Sequence, residues 1–298
     1  MTLKISAHDA RICRQLQQRH GKSYAYATKL FPKDKRTATQ VLYAFFRVPD
    51  ELVDNPQDPS VTAMTASLER WEQAWTGAYN NDADWQRLAD AAWIPVLQAT
   101  ATVFRHFEIP FAYSLDFLKA MKQDLTVTRY QTYSELEGYM YGSAAVVGLM
   151  MTYIIGFTDK RALLYAEELG YAMQLTNFLR DIREDLEGRD RIYLPEQELT
   201  SFGITENDLR QHVCNDAFKR FLGFQMSRAR ALYVSADDGI PLLQPDGQLA
   251  VRVASSLYEA ILDKLEEAHY DVFAGRVRTS LWEKICLTYG VWKTHKQS

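Results

Sequence analysis

Apolar residues recur every three or four positions through most of this chain. The pattern is clear over residues 83–106, 134–155, 161–187, 206–235 and 248–274, and such a period marks helices with one buried face. No stretch alternates apolar with polar residues between hairpin turns. Glycine and proline, which interrupt helices, number only 14 and 9 in 298 residues. Pro32, Pro56, Pro59, Pro110, Pro195 and Pro241 fall where helices are expected to begin or end. No repeat, low-complexity tract or linker divides the chain, and the polar, proline-bearing stretch 54–60 is short enough for a loop. The prediction is one all-α domain over residues 1–298, a bundle of roughly ten or more helices.

Apolar residues make up 47% of the chain, ample for a core, and the net charge is −4, which argues against a nucleic-acid partner. Cys13, Cys214 and Cys286 are odd in number and far apart, so they fit neither a disulfide framework nor a zinc site. A cytoplasmic location is the simplest expectation. Residues 1–15 lack the apolar core of a signal peptide. The most apolar stretch, 144–157, reads as a buried helix, being too short and too mixed to span a bilayer. Peripheral contact with a membrane stays open.

The chemistry is signalled by two acidic pairs of equal spacing, Asp50 with Asp54 and Asp181 with Asp185. Residues four apart on a helix share a face, so each pair aims two carboxylates one way. Facing helices would bring four carboxylates together, and such a cluster repels itself unless something compensates. Mg²⁺, with Mn²⁺ as an alternative, takes oxygen ligands and is commonly shared between carboxylates and phosphates. A diphosphate site between helices follows. Around the second pair, Gln174, Asn177, Asp181 and Asp185 form one predicted stripe of oxygen-bearing side chains beside apolar Leu175, Phe178, Leu179 and Ile182. Arg180 adjoins the stripe and suits bidentate contact with a phosphate. Pro49, just before Asp50, either kinks its helix or marks the start of a new one.

At these residues the chain resembles the squalene/phytoene synthase family. The matching strings run from Tyr43 through Arg47 and Asp50 to Asp54, from Tyr139 to Gly148, from Gln174 to Asp185, and from Arg191 to Pro195. The segments 236–243 and 269–273 look more like the phytoene-forming branch than the squalene-forming one. The resemblance implies an isoprenoid-synthase helical bundle around a deep central cavity. It implies a prenyltransferase that joins two prenyl diphosphates head to head, through a cyclopropyl diphosphate, at the start of carotenoid biosynthesis. It assigns metal to Asp50, Asp54, Asn177, Asp181 and Asp185. It assigns diphosphate or prenyl-chain contacts to His20, Gly21, Lys22, Ser23, Tyr43, Arg47, Gln174, Arg180 and Tyr258, and wall positions near the reacting carbons to Tyr139 and Ser143. Glu51 stands where many members have a second aspartate. The segment after Asp185 is expected to form a mobile flap-like loop, and Arg189 and Arg191 receive no role.

In that reaction Tyr43, Tyr139 and Tyr258 are candidates to stabilise cations with their ring faces. The small residues from Gly142 to Gly148 leave room for hydrocarbon chains or serve close helix packing. Thr28 and Gln40 are less bulky or less aromatic than residues at matching positions in relatives that close the tunnel early. They favour the twenty-carbon geranylgeranyl diphosphate over a fifteen-carbon substrate. No dinucleotide fingerprint is present, so NADPH is not expected. The alternatives are a squalene or dehydrosqualene synthase acting on farnesyl diphosphate, and a non-catalytic helical assembly factor.

Overall fold

The structure, a computed structural model, describes residues 3–295 except Gly21, without the side chains of His20, Lys22, Ser23 and Tyr24. The predicted contacts His20, Gly21, Lys22 and Ser23 therefore lie outside the described residues.

The chain runs α1 (Ala7–His20), α2 (Lys22–Thr28), α3 (Lys33–Asp54), α4 (Val61–Asn80), α5 (Ile94–Phe107) and α6 (Phe111–Gln123). Then follow α7 (Tyr133–Met140), α8 (Val146–Ile155), α9 (Arg161–Arg180), α10 (Ile182–Arg189), α11 (Glu196–Ser201) and α12 (Glu206–Arg210). The last three are α13 (Asp216–Asp237), α14 (Pro245–Glu267) and α15 (Leu281–His295). No strand occurs among the described residues, only two isolated bridges, Arg129 with Ile192 and Phe157 with Leu243.

Local sequence explains the boundaries. The 54–60 loop separates α3 from α4, whose first turn is capped by the Ser60 hydroxyl accepting from the Ala63 amide. Pro32, Pro110 and Pro195 stand immediately before α3, α6 and α11. Thr205 and Asp208 form a reciprocal capping box on α12. Pro49 is buried inside α3 without ending it, so Asp50 and Asp54 sit on the last turns of one helix.

In α3 the buried residues Ala38, Val41, Leu42, Phe45, Pro49 and Val53 keep the helical interval. Phe45 packs in an aromatic cluster with Trp71, Trp75 and Phe104, and the Trp75 indole donates to the Ser114 hydroxyl at 2.8 Å. Burying a ring of this size stabilises the fold by about 1.5–3 kcal/mol. This cluster holds α3 from behind.

The helix α9 is the axis of the other half. Gly170, Tyr171, Ala172, Leu175, Thr176, Phe178 and Leu179 are all buried, so it is covered on most sides, chiefly by α13, α8 and α14. A π-helical turn, Tyr141–Ala145, joins α7 to α8. The whole run Tyr133–Ile155 is long and apolar enough to cross a membrane by length and composition. Tyr139, Met140, Ala145, Val146 and Met150 nevertheless lie in the protein core. At Gly148 a Cβ would stand 2.4 Å from the Ala166 carbonyl oxygen, and at Gly142 one would stand 2.7 Å from that of Asp116. Both glycines thus serve close packing, while Ser143, Ala144, Val147 and Gly148 also line the central cavity.

Candidate active site

A cavity of about 1080 Å³ lies between the helices, larger than the roughly 300–1,000 Å³ of most small-molecule sites. Asp50 and Asp54 reach it from α3, Asn177 from α9, and Asp181 and Asp185 from the junction of α9 with α10. Tyr43, Arg47, Tyr139, Ser143, Gln174, Arg180 and Tyr258 line it too. Every predicted site residue with a described side chain therefore meets this one space.

The stripe expected on a continuous helix is broken. α9 ends at Arg180, and Asp181 leaves helical geometry with φ −105° and ψ 14° before α10 begins. The Asp181 amide still donates to the Asn177 carbonyl and the Asp185 amide to the Asp181 carbonyl, each at 2.9 Å. That four-residue pattern carries across the bend, and all four stripe residues stay on the cavity wall. Gln174 donates to the Ser143 hydroxyl at 3.4 Å, and Asn177 donates to Gln174 at 3.2 Å.

The four carboxylates are not left facing one another alone. Arginines stand against them, some closely and some at a distance. Arg189 holds Asp54 with two bonds of 2.8 Å, and Arg191 approaches the same carboxylate at 3.5 Å. Arg180 holds Asp181 at 2.7 and 2.5 Å, and Arg276 adds a bond of 2.8 Å. Arg47 pairs with Asp50 and Glu51. Arg189 reaches Asp185 only at 3.5 Å. Among the described residues no three His, Cys, Asp or Glu side chains converge as a ready-made metal site.

Compensation is uneven. Burial, and then the charge of Asp181, push Asp185 up to about 7. Burial, and then Asp54, push Asp50 up to about 6, although 38% of its side-chain surface still faces open space. The donors are carboxylate and amide oxygens, the hard set that Mg²⁺ or Mn²⁺ takes. A divalent cation beside Asp50 and Asp185 would favour their ionised forms. The residue types fit such an ion.

Several lining residues escaped the sequence reading. Asp124, after α6, accepts the Tyr139 hydroxyl at 2.7 Å and that of Tyr193 at 3.3 Å, while Arg191 bonds its backbone carbonyl at 2.9 Å. Burial pushes the Asp124 carboxyl up to about 6 against the opposing charge of Arg191. Burial also pushes the Tyr139 hydroxyl well up from its ordinary value. Tyr193 stacks on Phe178 at 4.1 Å and beside Tyr139 at 5.5 Å, so an aromatic wall borders the acidic end. Tyr193 lies within the string from Arg191 to Pro195, but Asp124 and Arg276 stand in no spacing that announces them.

The expected flap is tied down. α10 runs on to Arg189 and Asp190 turns left-handed with φ 52°. The Ile192 amide then donates to the Thr128 carbonyl at 2.9 Å. Arg129 pairs with Glu206 at 2.8 Å and Asp190 at 3.2 Å, and Arg210 pairs with Asp190 at 2.5 Å. This network fixes Arg189 and Arg191 over Asp54.

Away from the acids the wall becomes apolar, with Ala27, Phe31, Val147, Met151, Ile155, Leu169, Ile240, Leu243 and Ala250. Thr28 lines this end, buried and accepting from Gln17 at 3.1 Å. Gln40, expected beside it, shares the α3 face of Tyr43 and Arg47 but is not among the residues that line the cavity.

The sequence model of the squalene/phytoene synthase family matches residues 17–283. The chain is 35% identical to the 15-cis-phytoene synthase of Synechococcus elongatus, over 92% of this chain and 89% of that one. It is 34% identical to the phytoene synthase of Arthrospira platensis, over 93% and 90%. Among solved structures, a dehydrosqualene synthase in complex with ligand superposes with a TM-score of 0.87 at 27% identity, covering 98% of both chains. A squalene synthase from Alicyclobacillus acidocaldarius gives 0.78 at 25% identity, over 89% of this chain and 95% of that one. With the family model matched over most of its length and relatives above 30% identity, this chain belongs to the squalene/phytoene synthase family.

Proposed function

We propose that this chain is a prenyltransferase that condenses two geranylgeranyl diphosphates, through a cyclopropyl diphosphate, to phytoene, the first committed step of carotenoid biosynthesis. The observation that carries the reading is the two-ended cavity, in which both acidic pairs and five arginines adjoin a long apolar chamber. Its similarity to phytoene synthases over nearly its whole length supports the same reading.

Asp50, Asp54, Asn177, Asp181 and Asp185 would hold Mg²⁺, or Mn²⁺ in its place. A bound divalent cation supplies charge stabilisation to a departing diphosphate. Arg47 and Arg180 add fixed donors where that negative charge develops. Loss of diphosphate leaves an allylic cation, and the C2–C3 double bond of the second substrate attacks it. Proton loss closes the cyclopropane. A second ionisation, rearrangement and proton loss then give the hydrocarbon. The apolar wall keeps water from the cations, while the rings of Tyr43, Tyr139 and Tyr258 offer them negative faces. The reaction ends in proton loss, so it consumes no NADPH. The free thiols Cys13, Cys214 and Cys286 suit a reducing cytoplasm.

The likeness to a dehydrosqualene synthase structure favours a second reading, with farnesyl diphosphate as substrate. Purified protein supplied with Mg²⁺ and each diphosphate, with and without NADPH, separates the two. A forty-carbon hydrocarbon and inorganic diphosphate from the twenty-carbon substrate are expected. Product from farnesyl diphosphate alone overturns the proposal.

A further inference from the structure

The proposed reaction sheds protons into a chamber with few groups to take them. Among the described residues no histidine lines it, and its carboxylates are the two acidic pairs, Glu184 and Asp124. The pairs and the neighbouring Glu184 stand at the acidic end, where arginines and bound cations would hold them ionised and poor at taking a proton. A diphosphate leaving beside Arg47 and Arg180 would be held in the same way. Asp124 stands apart from them. It follows α6, is only 7% exposed, and borders the chamber beside the aromatic wall.

Two hydroxyls meet its carboxylate. Tyr139 donates to Oδ2 at 2.7 Å and Tyr193 to Oδ1 at 3.3 Å. A phenol has one proton to give, and Tyr139 spends it on Asp124, so its oxygen keeps lone pairs that can accept. The Tyr139 ring is held by Tyr130 and Tyr193, each with centroids at 5.5 Å, and by Phe178 at 6.3 Å. Arg191 bonds the Asp124 backbone carbonyl at 2.9 Å and the Tyr193 hydroxyl at 3.4 Å, which fixes the carboxylate from its other side. Burial pushes the Asp124 carboxyl up to about 6 against the charge of Arg191, so it takes a proton more readily than an ordinary aspartate. Burial also holds the Tyr139 hydroxyl well above its ordinary value, so a lasting tyrosinate is not the acceptor.

We infer that Asp124 is the final acceptor of the proton lost when the cyclopropane closes, received through the Tyr139 hydroxyl. The C–H bond of the cation breaks, and its electron pair forms the ring-closing C–C bond. The proton passes to Oη of Tyr139 as that hydroxyl's own proton passes to Oδ2 of Asp124. The carboxylate becomes the acid and Tyr139 ends unchanged. Asp124 returns its proton to water when the products leave. It touches no reacting atom: it positions the Tyr139 hydroxyl and takes over its proton. The inference rests on the proposed head-to-head condensation, but ring closure precedes any difference between a forty- and a thirty-carbon product.

The test compares Asp124→Asn with Asp124→Glu in purified protein, with Mg²⁺ and whichever of the twenty- and fifteen-carbon diphosphates the wild type consumes. Cyclopropyl diphosphate and hydrocarbon are both quantified. Asparagine keeps the size and an accepting oxygen but cannot take the proton. Its kcat is expected to fall by about a hundredfold or more, the scale of general-base catalysis, with KM within about twofold of wild type. Glutamate keeps the base while adding a methylene to a buried site, and is expected to retain at least about tenfold more turnover than asparagine. A purely structural Asp124 gives the opposite order, because the isosteric variant disturbs packing least, and that order overturns the inference. An unchanged kcat in Asp124→Asn also overturns it, in favour of the departing diphosphate as acceptor. Accumulation of cyclopropyl diphosphate overturns it too, since the proton would then be lost after the ring has closed. Melting temperatures check that both variants fold. If neither does, Tyr139→Phe deletes the relaying hydroxyl with Asp124 in place and is expected to show a loss of about the same size; wild-type kcat there overturns the inference. Product length judges the proposed function separately: a thirty-carbon product with the expected order of variants leaves the relay standing. A wild-type chain that consumes neither substrate overturns both.

Discussion

The two ends of the cavity are specified in different ways. At the acidic end three of the four carboxylates have a close partner: Asp54 has Arg189, Asp181 has Arg180 and Arg276, and Asp50 has Arg47, while Arg189 reaches Asp185 only at 3.5 Å. At the apolar end Phe31, Ile155, Leu243 and their neighbours define a volume, with no individual contact deciding it. Directional, charge-assisted bonds fix positions, whereas apolar contact scales with area and tolerates exchange. Substitutions at the first end should therefore change rate, and those at the second should change which substrate fits.

The largest expected effect is at the acidic end. Asp181→Asn keeps the shape and removes the charge, and diphosphate release should fall by about a thousandfold or more, the scale of losing transition-state electrostatics. Unaltered release from a folded variant removes Asp181 from the site. Asp124 tests the border between the two ends. Its folded pKa of about 6 lies above the ordinary 3.8, so the native state binds more protons than the unfolded chain between those values. Its contribution to stability is fully present below about pH 4 and lost as pH rises through about 6, roughly 1–3 kcal/mol in all. Asp124→Asn should flatten that part of the melting-temperature profile, and a profile parallel to wild type refutes the assignment.

At the apolar end, Thr28→Phe should shift the kcat/KM ratio from twenty-carbon toward fifteen-carbon diphosphate by about tenfold, the scale of a pocket filled by added carbon atoms. An unshifted ratio means that Thr28 does not set the depth of the chamber. The smallest effect belongs to Arg189→Gln. Asp54 then loses its bidentate partner, and the cation-free protein should lose about 1 kcal/mol or less of stability. Mg²⁺ with inorganic diphosphate should narrow that gap, and a gap that persists breaks the comparison between arginine and cation as alternative counter-charges.

What was legible in the sequence follows the same division. Helical periodicity located the core helices: residues 134–155 enclose α8 and most of α7, and 248–274 overlaps most of α14. It failed over 83–93, where Trp85 begins a short 3₁₀ turn and α5 starts only at Ile94. The four aspartates were legible because their spacing is local. Arg189 over Asp54 and Arg276 over Asp181 were not, because each partner lies about a hundred residues or more away in sequence and only folding joins them. The bend at Asp181 was equally hidden, since nothing in its neighbours forbids a helix. Asp124 gave no signal because a buried acid is defined by its surroundings.

The arginine cage around the acids separates two events that many metal-dependent domains combine. Where ligands repel one another in the empty state, the ion is part of the folding reaction and a chelator unravels the chain. Here internal guanidinium groups stand in as placeholders. On the proposed function, the scaffold assembles first and takes up cations later, so a chelator is expected to stop turnover while leaving the fold intact.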